Sequence, residues 1–377
     1  MTRHRSWKKK LSLSFVTLVL AATIAWTVSA VVRTNELYDG VKGGWRGWSG
    51  NVHGSDAELG LRLVPGGSGA ETFPIGPDVK SRIDAAGFRV PFDAPPATRM
   101  RRPIVLALGC SFTYGAACAA EDTFAWKVAE DLDGTALNAG ICSAGAAQML
   151  ILAERLIPEH KPDVVLVQYA PWLLDRSTNP FAPTNMGLIP SPWFVRTQDG
   201  IAVHPPAFDT LAFDLPIAHY KETPRGFADF MGFFFRVGLP LLWHDDRHLL
   251  ALRTELAFGA RPPAATMDEI AAEVWPRIAE LCREHGARMV VVWFEGRKPE
   301  TGWDLPPILV QLEAQGVPIA RATQRLLERL TVVTRQGWLD AYAHMRGDPP
   351  VCVDAHPNER AHAIVAEEIL RALGSGE

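Results

Sequence analysis

The sequence predicts an α/β protein: a parallel sheet, doubly wound with helices on both faces, behind an N-terminal transmembrane segment. Three observations predict it. Residues 104–108, 163–169 (DVVLVQY) and 288–294 (RMVVVWF) are short, nearly uninterrupted apolar runs, the pattern of strands covered on both faces. Helical segments lie between them, the alternation that builds a parallel sheet. Residues 11–32 carry no charged side chain at all.

That last run comes first in the chain. Its twenty-two residues, as a helix, span about 33 Å, enough to cross a hydrocarbon layer of roughly 30 Å. The preceding tip, MTRHRSWKKK, holds five basic residues and no acid, so the positive-inside rule keeps it cytoplasmic and sends the remainder out. Over the whole chain 38 Lys+Arg stand against 42 Asp+Glu, a net charge of −4, while residues 33–377 alone carry 33 basic and 42 acidic groups, net −9. An acidic body argues against nucleic acid as a partner. With 47% hydrophobic and 21% charged residues, a disordered polymer is excluded as well.

Two readings of residues 11–32 stay open: a retained membrane anchor, or a signal peptide cleaved after Val28-Ser29-Ala30. Either one places residues 33–377 outside the cytoplasm, which is the periplasm if the cell is Gram-negative. The five cysteines, Cys110, Cys118, Cys142, Cys282 and Cys352, then face an oxidising compartment. A Cys118–Cys142 bridge and plain buried thiols both fit that setting.

The expected organisation is a basic tip (1–10), the membrane segment (11–32), a Gly/Pro-rich extension (33–100) and one domain (101–372) with an insertion (175–266). Trp45 and Trp48 stand where a bilayer would end, an interface that tryptophan favours. Strand 104–108 runs into Gly109-Cys110-Ser111. Asp122 or Thr123 opens a helix to about Leu132, a small-residue loop covers 138–145, and a helix follows as far as Pro158. Strand 163–169, helix 267–285 stopped by Gly286, strand 288–294, a weak strand at 317–320 and an amphipathic helix at 359–373 complete the domain. The insertion is rich in Pro and aromatic residues and contains a hairpin at 192–203 turning on Gln198-Asp199-Gly200. An insertion of this size shapes a substrate pocket or a partner surface.

Three separated segments carry chemistry. Gly109-Cys110-Ser111-Phe112-Thr113-Tyr114-Gly115 follows the first strand, where flanking glycines let a tight turn present a serine hydroxyl at the sheet edge that binds ligands. The loop around Gly140 lets a backbone N–H approach a reacting oxygen. Asp354-Ala355-His356-Pro357-Asn358 supplies a base for the serine and a carboxylate to orient it.

These residues resemble the SGNH/GDSL family of serine hydrolases. GCSFTYG is similar to its first block, NAG at 138–140 to its glycine block, and DAHPN to its C-terminal Asp/His block. KPDVVLVQY looks like the family's third strand, and DAELGLRLVP (56–65) and DAAGFR (84–89) look like the extension of membrane-anchored or secreted members. The resemblance covers roughly residues 56–372 and implies a flavodoxin-like, three-layer α/β/α fold. Carried over, Ser111 is the nucleophile, His356 the general base and then acid, and Asp354 its orienter, with the oxyanion held by the N–H groups of Ser111 and Gly140. No metal or organic cofactor is implied. The implied partner is an acyl-ester substrate, such as an acylated carbohydrate of the cell envelope.

This chain departs from the family pattern at three points. Cys110 stands where an Asp is usual, the Asp-to-His spacing is two rather than three, and no asparagine follows the third strand, where Trp172 offers an indole N–H in its place. The expected function is an extracytoplasmic serine esterase. An envelope O-acyltransferase using the same serine and a non-catalytic binding protein are the alternatives. Gln148 and Cys110 are further candidates to line the site. His244 and His248, at helical spacing with no third ligand, read as a solvated polar face rather than a metal site. Residues 227–235 (FADFMGFFF) suit core packing, an acyl pocket or a membrane surface, and Trp172, Trp193 and Trp303 are candidate sugar platforms.

Overall fold

The computed structural model describes the chain except residues 1, 43–46, 94–99, 185–186, 210, 212–214, 260–261, 296–303 and 375–377. Trp45 and Trp303 lie outside the described residues. Helix α1 (Thr2–Lys42) leads into an extension that holds a separate hairpin, His53–Asp56 with Gly60–Leu63, and four short strands of the main sheet, β1 (Gly47–Gly50), β2 (Ser68–Thr72), β3 (Val79–Ile83) and β4 (Arg89–Val90). Strand β5 (Ile104–Leu108), helix α2 (Phe124–Asp131), β6 (Thr135–Asn138), helix α3 (Ala146–His160) and β7 (Val164–Tyr169) follow. After the insertion, whose longest helix is α4 (Leu239–Ala257), come α5 (Met267–Glu284), β8 (Arg288–Trp293), β9 (Ile319–Ala320) and the closing helix α6 (Glu359–Gly374).

The nine strands form one mixed sheet in the order β1-β2-β3-β4-β6-β5-β7-β8-β9. The last five are parallel, with Val105 opposite both Ala136 and Val164, and Arg288 opposite Val164. Their order is the flavodoxin-like arrangement, whose direction of winding reverses between β5 and β7. Every residue of β5 and β7 is buried, which is why those strands show no polar alternation. Helices α3 and α5 pack together, as do α2 and α6, and these pairs cover the parallel strands.

The Gly/Pro-rich extension adds strands to the sheet. Its strands β1 to β4 pair antiparallel and join the sheet through Arg89 opposite Asn138. The strands are two to five residues long, so the local pattern is too short to stand out from loop sequence. Helix α3 runs past Pro158 to His160, because a proline in the last turn removes one bond without ending the helix.

The insertion builds the expected hairpin, Trp193–Thr197 against Gly200–His204. Its remaining helices form a second, smaller core with the end of α1: Leu37, Tyr38 and Val41 pack against Ile217, Tyr220, Phe233, Val237 and Leu241. Helix α1 includes a stretch, Leu13–Lys42, that is long and apolar enough to cross a membrane, with a mean hydropathy of 2.2 and 6% of its best window buried. His244 and Asp245 are buried rather than solvated, since His248 stacks on Phe208 at 4.6 Å and Asp245 accepts from the Leu188 N–H at 3.1 Å. All five cysteines are free. Cys118 is buried against the Pro357 carbonyl at 3.4 Å.

Candidate active site

Strand β5 ends at the reversal point of the sheet, and the chain there makes a single helical turn, Ser111–Tyr114, closed by Gly115 in the left-handed region at φ 80°. That turn presents the Ser111 hydroxyl at the carboxyl edge of the strands. The segment bearing His356 arrives from the far end of the chain, after the hairpin His344–Arg346 with Val351–Asp354. Two residues 245 positions apart thus meet: His356 Nε2 lies 2.9 Å from Ser111 Oγ. On the other side of the ring, Nδ1 lies 2.6 Å from Asp354 Oδ1.

These distances assign the protons. A carboxylate only accepts, so Nδ1 carries the hydrogen and Nε2 presents its lone pair to the serine hydroxyl. The same Asp354 oxygen accepts the His356 backbone N–H at 2.8 Å. Spacing of two therefore closes a small ring that holds carboxylate and imidazole in one geometry. Asp354 is buried and His356 partly so, which limits competition from water. The other neighbour of Ser111 Oγ, Cys110 Sγ, is at 3.9 Å, so the histidine is the proton acceptor in reach.

The nucleophile turn rests on residues with no assigned role in the sequence reading. Gln168, the single polar residue inside β7, is buried, and its Oε1 accepts from the Cys110 N–H at 3.1 Å, the Cys110 thiol at 3.4 Å and the Thr113 hydroxyl at 2.9 Å. It provides the acceptor that an Asp at position 110 would otherwise bring. An amide in an apolar strand was the available signal. Asn138, at the end of β6, donates to the Thr113 carbonyl at 2.9 Å. Arg89, wholly buried, donates to the Tyr114 and Cys118 carbonyls and to the Gly115 carbonyl at 2.7 Å, with its guanidinium 4.1 Å from the Tyr114 ring centre.

The remaining sequence candidates divide. Gly140 adjoins the turn: a Cβ there would lie 2.3 Å from the Tyr114 nitrogen, so only glycine permits the approach. Its N–H, however, donates to Asn138 Oδ1 at 3.1 Å, and that donor is engaged. Trp172 stands edge-on to Phe112 at 5.2 Å between ring centres, and Phe112 stands edge-on to His356 at 5.7 Å. Gln148 is neither in the triad nor solvated. It is buried at the start of α3, accepting from Gly145 N–H at 2.9 Å and donating to Ser191 Oγ at 2.9 Å and the Leu59 carbonyl. Cys110 lies under the turn with its thiol on Gln168. Among the described residues, no group of three or more His, Cys, Asp or Glu side chains is arranged to hold a metal ion.

Two titratable groups behind the site are displaced from their ordinary values. Burial lowers the His362 imidazole to about 3, so it is neutral, accepting the Phe124 N–H at 3.3 Å. Burial raises the Cys118 thiol well above its usual range, so it stays protonated.

No family model matches the chain, and no curated protein matches it. Solved structures do. The structures it resembles include GDSL-type hydrolases. An acetylxylan esterase from Geobacillus stearothermophilus is 13% identical with a TM-score of 0.37, over 74% of this chain and 97% of that one. TesA is 13% identical with a TM-score of 0.35, over 73% and 99%. A G-D-S-L family lipolytic protein from Desulfitobacterium hafniense, described as putative, is 11% identical with a TM-score of 0.32, over 72% and 99%.

Proposed function

We propose that the protein is a serine esterase that cleaves small acyl esters on envelope glycans or related molecules, held outside the cytoplasm by α1. The observation that carries this reading is the chain of contacts Asp354 Oδ1, His356 Nδ1 and Nε2, Ser111 Oγ, at 2.6 and 2.9 Å. In the first step Ser111 Oγ attacks the ester carbonyl while its proton passes to His356 Nε2, and Asp354 stabilises the imidazolium. The tetrahedral oxyanion is held by the Ser111 N–H at the start of the one-turn helix. The carbonyl re-forms as the C–O bond breaks, and His356 returns its proton to the departing alcohol. Water, activated by the same nitrogen, then attacks the acyl-serine and releases the acid.

A retained anchor fits better than a cleaved signal. Helix α1 continues unbroken past Ala30, which is itself buried, whereas cleavage requires an accessible site. Labelling by a fluorophosphonate probe tests the chemistry. Wild type should label covalently, Ser111→Ala should not, and His356→Ala should lose ester turnover by about 10⁴-fold or more with its fold retained. Equal labelling of Ser111→Ala would refute the serine-enzyme reading.

A further inference from the structure

We infer that the insertion carries a second membrane contact: the outer face of α4 lies in the lipid headgroup and acyl boundary beside the exit of α1. The inference rests on the reading that α1 crosses a bilayer. Residues 227–257 form one continuous helical run, Phe227–Phe233, a π-helical segment Phe234–Gly238 and then α4. From Asp229 to Asp246 this run descends antiparallel along α1. Asp229 meets Lys42 at 2.6 Å and the Tyr38 hydroxyl at 2.7 Å, Gly238 adjoins Thr34, and Asp246 meets Arg33 at 3.0 Å.

The lower contacts set the depth. Asp246 also accepts from the Trp26 indole N–H at 2.8 Å, and the Trp26 and Trp243 rings stand edge-on at 5.7 Å. Trp26 is six residues before Val32, the last residue of the uncharged run, and so about 9 Å below its end along the helix. Trp243 and Asp246 are therefore level with the last two turns of the apolar segment, the interfacial zone that tryptophan favours.

From that point α4 shows two different faces. Leu241, His244, Asp245 and Leu252 are buried on the protein side. On the other side Trp243 and Leu250 are 60% and 67% exposed; Leu256, one turn past Leu252 at the end of the helix, is 66% exposed and Phe258 just beyond it 82%. Exposed Arg247 and Arg253, with one exposed acid, Glu255, interleave with them. Apolar and aromatic side chains flanked by arginine are the composition of a helix lying in a headgroup layer, where the guanidinium groups reach phosphates as the stems stay among acyl chains. Phe227 and Phe235, at the upper end, stand beside the part of α1 past the apolar run and are not included.

The test uses the full chain in nanodiscs of phosphatidylcholine and phosphatidylglycerol, with benzoylphenylalanine placed singly at Leu18, Leu250, Phe258 or Val310. Irradiation should give lipid adducts at the first three positions and none at Val310, an exposed residue on the helix Pro307–Ala314. Adding Leu250→Asp and Leu256→Asp together should abolish the Phe258 adduct while leaving the one at Leu18. An adduct at Leu18 without any at Leu250 or Phe258 overturns the inference and spares the anchor. Absence at Leu18 overturns the anchor reading itself. A protein–protein adduct at Leu250 assigns the face to a second copy of the chain and also overturns the inference.

Discussion

Serine hydroxyls are poor nucleophiles, and in the proposed reaction Ser111 depends on a base held in one orientation. Asp354 does this with one oxygen that takes both the ring and the backbone N–H of His356. Gln168 performs the comparable task beneath the nucleophile, gathering three donors of the turn on a single Oε1. It does not touch the reacting atoms and acts by positioning them. Replacing it with leucine, of similar volume, leaves three buried donors without an acceptor and loosens the turn. We expect Gln168→Leu to lower kcat by about 10- to 100-fold with KM nearly unchanged, since a displacement near 1 Å costs that much. Loss of thermal stability with kcat intact would make Gln168 purely structural.

Among the elements, the one-turn helix Ser111–Tyr114 is too short to be stable by itself. Its carbonyls are satisfied from outside, by Asn138 and Arg89, and its side rests on the loop at Gly140. A methyl group at Gly140 would meet the backbone of Thr113 and Tyr114, which cannot rotate away as a side chain could. Gly140→Ala should cost about 1–3 kcal/mol in stability by overpacking and lower turnover with it, as measured by thermal unfolding and ester hydrolysis on the same preparation. Stability equal to wild type would show that the loop can withdraw.

For the molecule as a whole, Arg89 ties the antiparallel extension to the nucleophile turn, and the closing helix α6 seals the opposite side with His362. This imidazole is held near 3 by burial, against an ordinary value of 6.5. Below about pH 6.5 the unfolded chain therefore binds a proton that the folded chain refuses. Stability is full above that pH and falls as pH drops toward 3, by up to about 1.4 kcal/mol per unit from this residue. Thermal midpoints measured from pH 7.5 to 4.5 should fall less steeply in His362→Gln, whose amide still accepts the Phe124 N–H. An identical slope in the variant would remove His362 from the acid response.

The sequence by itself determined the parallel strands, because apolar runs such as those in β5, β7 and β8 leave no face for solvent. It determined the membrane-length helix, and its resemblance to the serine-hydrolase blocks pointed to Ser111, His356 and Asp354. Only the tertiary structure decided what supports them. Gln168, Asn138 and Arg89 act across strands far apart in the chain, and polar residues in strands acquire a role only when their partners are brought beside them. The same holds for the extension, whose short strands gain definition from the sheet edge they join, and for the insertion, whose exposed and buried faces are set by where α1 passes. Local periodicity records which side chains avoid water, and only packing records which polar groups must find each other.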